Sequence, residues 1–147
     1  MIAGIIDATL AVLRTVPEVA GEGGQPGATV SVYCEEIVYD EYDRKRDEAT
    51  VKLKICVGIA DANLQAGEVR IQNLAEKMRF ALVRKYSLGG IAAASFVRRV
   101  EFVNADNPQE LHGAVIDFEV IAFVERTEPL FAPEVLQIKI QSEGENG

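Results

Sequence analysis

Apolar residues recur along the chain at two spacings, and each spacing predicts one kind of element. Alternation of apolar and polar residues, which is typical of a strand with one buried face, occurs in four segments, 30–39, 50–59, 96–104 and 113–125. Residues 2–16 and 68–86 instead place their apolar side chains on one face of a helix. This order predicts an α+β domain over 1–128, a helix followed by β-β-α-β-β, with a mainly antiparallel sheet and the helices packed on one face.

The alternation also assigns the two faces of each strand. In the first strand Val38 shares a face with Cys34, and Ile37 lies on the opposite face. In the third strand Val100 shares a face with Phe96, and Val97 lies on the opposite face. For the second and fourth strands the predicted inward residues are Val51, Leu53, Ile55, Val57, Ile59, Ala114, Ile116, Phe118, Val120, Ala122 and Val124.

Charged residues dominate the segment 40–48 between the first two strands. Such a run is typical of a solvated hairpin tip. The alternative is a protruding arm that docks on a partner, and its mixture of acids and bases suits a protein partner better than DNA. The candidate partner contacts in this segment are Glu41, Tyr42, Arg44, Lys45 and Arg46.

One more alternating stretch follows two prolines near the end of the chain. Pro129 and Pro133 interrupt regular structure, and residues 135–140 then alternate like a further strand. We expect 129–147 to form an extended arm that adds either to an edge of its own sheet or to an edge of a neighbouring subunit. The candidate contacts of this arm are Leu136, Ile138 and Ile140.

The overall charge argues against a protein that grips nucleic acid. The chain has 147 residues, a formal net charge of −8 and a pI near 4.7, whereas nucleic-acid binding usually requires a positive surface. The acidity indicates simple solubility, or a channel wall that repels DNA. No basic region precedes the N-terminal apolar run, Asp7 interrupts that run, and no segment approaches the ~20 apolar residues of a membrane span. We therefore expect a soluble protein without a signal peptide.

Residue patterns for catalysis or metal binding are absent from the sequence. The chain contains no phosphate-binding glycine motif and no paired-cysteine or HExxH metal motif. The single histidine, His112, is predicted to be an ordinary surface or edge residue. Cys34 and Cys56 are predicted to be free thiols, with a cross-strand disulfide as the alternative. The sequence therefore predicts no enzyme activity, no cofactor and no metal.

The element order, the charged segment 40–48 and the join VGIAD…GEVRIQNLAEKMRFAL at 57–82 resemble the tail terminator, or tail completion, proteins of tailed bacteriophages. The resemblance covers residues 1–126. It implies an α/β unit that assembles as a hexameric ring, caps the tail tube, ends tube polymerisation and receives the head connector. The implied partners are other copies of the chain, the tail tube protein and the head–tail connector protein. DNA is implied only as passing cargo, no membrane is involved, and the implied location is the virion after assembly in the host cytoplasm.

Two other interpretations stay open on the sequence alone. A different phage neck or tail-tube structural protein would share the sheet-and-helix domain, but it would form a ring of another stoichiometry or stack in many copies. A small ferredoxin-like enzyme or binding domain would need a concave apolar pocket with converging polar groups.

Overall fold

The computed structural model describes residues 1–21 and 27–126, and these contain four strands and four helical segments. In chain order the elements are α1 (Ile2–Leu13), α2 (Pro17–Ala20), β1 (Thr29–Glu41), β2 (Arg46–Ala60), α3 (Leu64–Arg84), a short 3-10 turn (Leu88–Gly90), β3 (Ala94–Val103) and β4 (Leu111–Glu125). The predicted arm, with Leu136, Ile138 and Ile140, lies outside the described residues, as does the predicted boundary at residue 128.

The four strands form one sheet in the order β1-β2-β4-β3, and every neighbouring pair is antiparallel. The two hairpins join through the central pair of β2 and β4, whose register runs without a break from Arg46 opposite Glu125 to Ala60 opposite Leu111. Among the strands that the structure describes, β1 and β3 are therefore the two edges of the sheet. The predicted α+β class, with a mainly antiparallel sheet, is confirmed.

The core lies between one face of the sheet and the helices α1 and α3. The predicted inward residues of β2 and β4 are buried, except for Val124, which is partly exposed. α3 contributes an apolar stripe at helical spacing, which consists of Ile71, Leu74, Ala75, Met78 and Leu82. α1 adds Ile5, Val12 and Leu13. The apolar periodicity of each element thus points to a single shared core.

Both helices differ from their predicted boundaries for local reasons. α3 begins at Leu64 rather than at 68, because the side chain of Asn63 accepts a hydrogen bond from the Ala66 N–H at 3.0 Å and caps the first turn. The first helix ends at Leu13 rather than at 16. Pro17 begins the separate short helix α2, since a proline lacks only an N–H that the first turn does not use.

β1 contains a bulge that corrects the predicted faces of its second half. The register shifts between Cys34 and Glu36, so that Glu35 is the additional residue. One inserted residue reverses the alternation that follows it. Ile37 therefore packs against the core, and Val38 is exposed, which is the opposite of the prediction.

β3 contains a second bulge with the same effect. Its register shifts between Val97 and Arg99, so that Arg98 is the additional residue. Val97 and Val100 therefore both pack against the core, whereas Phe96 is exposed. The prediction that Val100 shares a face with Phe96 is wrong for this reason.

None of the helices within 1–21 and 27–126 has both the length and the apolar character that crossing a bilayer requires.

Candidate assembly surface

The face of the sheet turned away from α1 and α3, called the outer face below, has a band of charged residues across its middle. Each of the four strands contributes two charges, and together these eight residues form the charged band: Glu35 and Glu36 of β1, Lys52 and Lys54 of β2, Asp117 and Glu119 of β4, and Arg98 and Arg99 of β3. In sheet order the strands are acidic, basic, acidic and basic. Adjacent strands therefore attract each other across the band.

Lys54 is the best-connected member of the charged band. Its Nζ lies 2.5 Å from Asp117 Oδ1 on one neighbouring strand and 3.6 Å from Glu35 Oε2 on the other. The hydrogen bond to Asp117 raises the pKa of the Lys54 ammonium group, and the negative charges of Asp117 and Glu35 add to this effect. Two positions away on β2, Lys52 Nζ lies 3.6 Å from Glu36 Oε1.

The basic edge strand is tied to β4 in the same band. Arg98 Nε donates a hydrogen bond of 3.0 Å to Glu119 Oε2, and its guanidinium group lies 4.5 Å from the centre of the Phe96 ring. Arg99 pairs in register with Asp117 and places Nη2 3.2 Å from Glu101 Oε2. Both arginines thus belong to the outer face.

The bulges explain why each edge strand has two neighbouring charges on one face. In a regular strand consecutive side chains point to opposite faces, so one residue of a Glu-Glu or Arg-Arg pair would enter the core. The additional residue at Glu35 and at Arg98 lets both members of each pair stay outside. Sequence reasoning missed the band, although a like-charged doublet inside an apolar alternation was the signal that could have revealed both bulges.

The predicted contacts in 40–48 lie at one end of the sheet. The two strands extend further into this segment than the prediction of a solvated hairpin tip implies. β1 continues to Glu41 and β2 starts at Arg46, so only 42–45 form the turn. The Tyr42 ring packs against Phe123 of β4 in a tilted arrangement, with centroids 4.5 Å apart. The Arg46 guanidinium group lies 5.1 Å from the Tyr42 ring centre and 5.4 Å from that of Phe123. We call these three residues the tip cluster.

Ion pairs hold the turn beside the tip cluster. The Asp43 carboxylate accepts hydrogen bonds from the backbone N–H groups of Lys45 at 2.8 Å and Arg46 at 2.7 Å, and these bonds lower its pKa. Arg126 donates to Asp47 at 2.7 Å and lies 3.7 Å from the Glu41 carboxylate. All five predicted contacts in this segment are exposed. Of these, Glu41, Tyr42 and Arg46 also contact neighbouring side chains.

His112 is buried, which corrects the prediction of a surface or edge residue. Only 1% of the residue is exposed, and Nε2 lies 3.3 Å from the carbonyl oxygen of Asp61. The ring packs against Gly67, where the missing side chain leaves room for it. The Asp61 carboxylate accepts hydrogen bonds from Arg70 and from the Asn63 backbone, and these lower its pKa. His112 is therefore enclosed between β4 and the start of α3.

The two cysteines lie on opposite faces of the sheet. Cys34 packs against the core and pairs in register with Leu53, which is buried. Cys56 lies between two inward residues of β2 and so belongs to the outer face. Both thiols are free, and their placement excludes the alternative of a cross-strand disulfide.

An open cleft of about 540 Å³ lies between α3 and the ends of β1 and β2. Two of its charged residues neutralise each other, since Lys77 Nζ lies 2.6 Å from Glu18 Oε1 and lowers the pKa of that carboxyl group. Among the residues that the structure describes, no three His, Cys, Asp or Glu side chains lie close enough together to hold a metal ion.

Comparison with the models of known protein families gave no match, and no curated protein sequence matches the chain.

Proposed function

We propose that this protein is a structural, non-enzymatic component of a phage tail, which assembles with copies of itself into a ring. In the role of a tail terminator, the ring caps the tail tube, ends its polymerisation and joins it to the head connector. The hexamer that the resemblance implies is the expected stoichiometry.

One observation carries the proposal of self-assembly: both edge strands expose large apolar and aromatic side chains. On β1 these are Tyr33, Val38 and Tyr39, and on β3 they are Phe96, Phe102 and Val103. Between one third and three fifths of each residue is exposed, with values from 36% at Val38 to 56% at Val103. Large exposed apolar patches usually mark surfaces that bind another protein. Their position along both edges favours lateral association of subunits.

The tip cluster provides a second surface, suited to a partner at the end of the sheet. Tyr42, Phe123 and Arg46 pack against one another. The turn that presents them is held by the ion pair of Asp43 with Arg46 and by that of Arg126 with Asp47. Aromatic and arginine side chains are the types that contribute most to protein interfaces. We assign this surface to the contact with the tail tube or the head–tail connector.

The net charge fits DNA as passing cargo. The net charge of −8 repels phosphate groups, so a ring of such subunits lets DNA slide through without binding it.

The native mass of the purified chain, measured by light scattering behind a sizing column, tests the proposal. We expect a discrete particle near six subunits, and negative-stain images should show a ring with a central hole wide enough for duplex DNA. A monomer at high protein concentration would contradict the ring. Open-ended tubes would favour a tail-tube protein instead.

The role of residues 129–147 can be tested in the same assay. If this segment bridges neighbouring subunits, its removal should lower the mass of the particle. An unchanged mass would exclude the bridging role without affecting the ring.

A further inference from the structure

We infer that copies of this chain associate head to tail, with the acidic edge strand β1 of one copy beside the basic edge strand β3 of the next. The inference rests on the proposed self-assembly. It specifies that the two unlike edges of the sheet meet, β1 of one copy with β3 of the next.

The strand directions permit this contact. Each of the three neighbouring strand pairs is antiparallel, so β1 and β3 themselves run in opposite directions. A second copy that is shifted sideways across the sheet, without being turned over, therefore places its β1 antiparallel to β3 of the first copy. The antiparallel sheet thus continues from one copy into the next.

The two bulges lie at the same level of the sheet. The bulge of β1 is next to the residue pair of Cys34 and Leu53, and the bulge of β3 is next to the pair of Val97 and Phe118. Leu53 and Phe118 are partners in the central pair of strands. Antiparallel ladders run perpendicular to their strands, so the sideways shift brings Glu35 and Glu36 opposite Arg98 and Arg99.

The charges of the two edge strands favour this head-to-tail arrangement over the symmetric ones. Contact of β1 with β1 around a twofold axis would bring Glu35 and Glu36 close to their own copies, and contact of β3 with β3 would do the same for two arginines. Like charges directly opposite each other destabilise a strand pair. Only the head-to-tail contact continues the alternation of acidic and basic strands, and repeated head-to-tail contacts close into a ring when their rotation permits.

An apolar groove beside β3 supplies a matching contact on the helix side of the sheet. The groove has a volume of about 390 Å³, and its walls include Val83, Tyr86 and Val97. On β1, Tyr39 pairs with the buried Ala49, so its side chain lies on this same side, and 55% of the residue is exposed. In the shifted copy Tyr39 comes to the end of β3 that borders the groove. We assign Tyr39 as the apolar anchor of the contact.

A pair of charge-reversal variants tests the inference. E35K/E36K makes both edges basic, and R98E/R99E makes both edges acidic. Each variant alone should lose assembly, with an association constant per contact lower by about tenfold or more. An equal mixture should reassemble, because the reversed β1 of the first variant fits the reversed β3 of the second, and the remaining two edges are unchanged. The mixed particle should contain both variants in equal number.

E68K/E76K is the matched control, because it changes the net charge by the same amount as E35K/E36K on the exposed side of α3. It should assemble like the wild type. Circular dichroism and urea unfolding show whether each variant is folded. If a reversal unfolds the chain, E35Q/E36Q and R98Q/R99Q remove the charges at nearly constant shape, and each should weaken assembly. Y39A should weaken assembly independently of salt.

The outcomes separate this inference from the proposed function. A wild-type chain that stays monomeric overturns both. A wild-type ring whose mass is unaffected by either reversal overturns the edge contact but leaves self-assembly standing. Loss of assembly in both folded variants without recovery in the mixture overturns the head-to-tail order.

Discussion

Replacement of Gly67 by alanine should destabilise the protein, although alanine is the better helix former. Gly67 lies near the start of α3, against the ring of His112. A Cβ atom at this position would overlap His112 Nε2 and Cδ2 and would lie 2.6 Å from Cε1. Since only 1% of His112 is exposed, the ring has packed neighbours and can move only at their expense.

The size of the effect follows from two opposing contributions. Alanine stabilises a helix interior by about 1 kcal/mol relative to glycine. Overpacking of a close-packed site costs about 1–3 kcal/mol, and overlap with two ring atoms places Gly67 at the upper end of that range. The free energy of unfolding should therefore fall by about 2 kcal/mol, which lowers Tm by about 5–8 °C for a chain of this length.

Urea unfolding followed by circular dichroism measures the change, and Gly4 provides the matched control. Gly4 is also a helical glycine, in α1, but a Cβ there would meet only the Cδ1 end of Ile91 at 3.1 Å. Ile91 is 44% exposed, so this side chain can move aside. We expect Gly4→Ala to raise the free energy of unfolding by about 0.5–1 kcal/mol. The same substitution should thus have opposite signs in the two helices.

A double-mutant cycle identifies the source of the strain. In a His112→Ala background the overlap is gone, and Gly67→Ala should then stabilise the protein by about 1 kcal/mol. A Gly67→Ala variant as stable as the wild type would refute the close packing of His112 on α3. An equal loss in both backgrounds would show that the strain comes from another neighbour.

Three further predictions concern the core, a helix cap and the turn. Phe118→Ala should lower the free energy of unfolding by about 3–5 kcal/mol, because this ring is only 1% exposed at the centre of the core. A loss below about 1.5 kcal/mol, which is the usual cost of a volume-conserving substitution, would contradict that packing. Asn63→Ala should cost about 1 kcal/mol in the same assay through loss of the cap on α3, whereas Asn63→Asp should keep the cap. The hydrogen bonds that lower the pKa of Asp43 stabilise the protein fully above the ordinary value of 3.8, and this contribution is lost as the pH falls through the lowered pKa. The Tm difference between wild type and Asp43→Asn should therefore shrink in strong acid, and a constant difference would refute the role of the carboxylate charge.

The sequence patterns predicted the central strands well and the edge strands less well, for a physical reason. β2 and β4 have neighbours on both sides, so their alternation runs without interruption, and every predicted inward residue up to Ala122 is buried. An edge strand is paired on one side only and can take up an additional residue. The bulges at Glu35 and Arg98 therefore reversed the predicted faces of Ile37 and Val100.

The candidate surfaces required information about pairing that local patterns do not contain. The segment 40–48 was recognisable by its charge, but its partner Phe123 follows about eighty positions later and reaches Tyr42 only through the register of β2 with β4. The charged band depends on the same register. His112 gave no local sign of burial, since its place next to Gly67 depends on how α3 crosses the sheet.

The position of β4 has a consequence for the nascent chain on the ribosome. β4 is the last described strand to be synthesised, yet it lies between β2 and β3 in the sheet, and β3 has no other partner among the strands that the structure describes. Until Leu111–Glu125 have emerged, β3 cannot join the sheet, and the basic edge does not exist. For neighbouring nascent chains on one messenger RNA, this order of synthesis postpones the contact inferred above between β3 and β1 until β4 has been made.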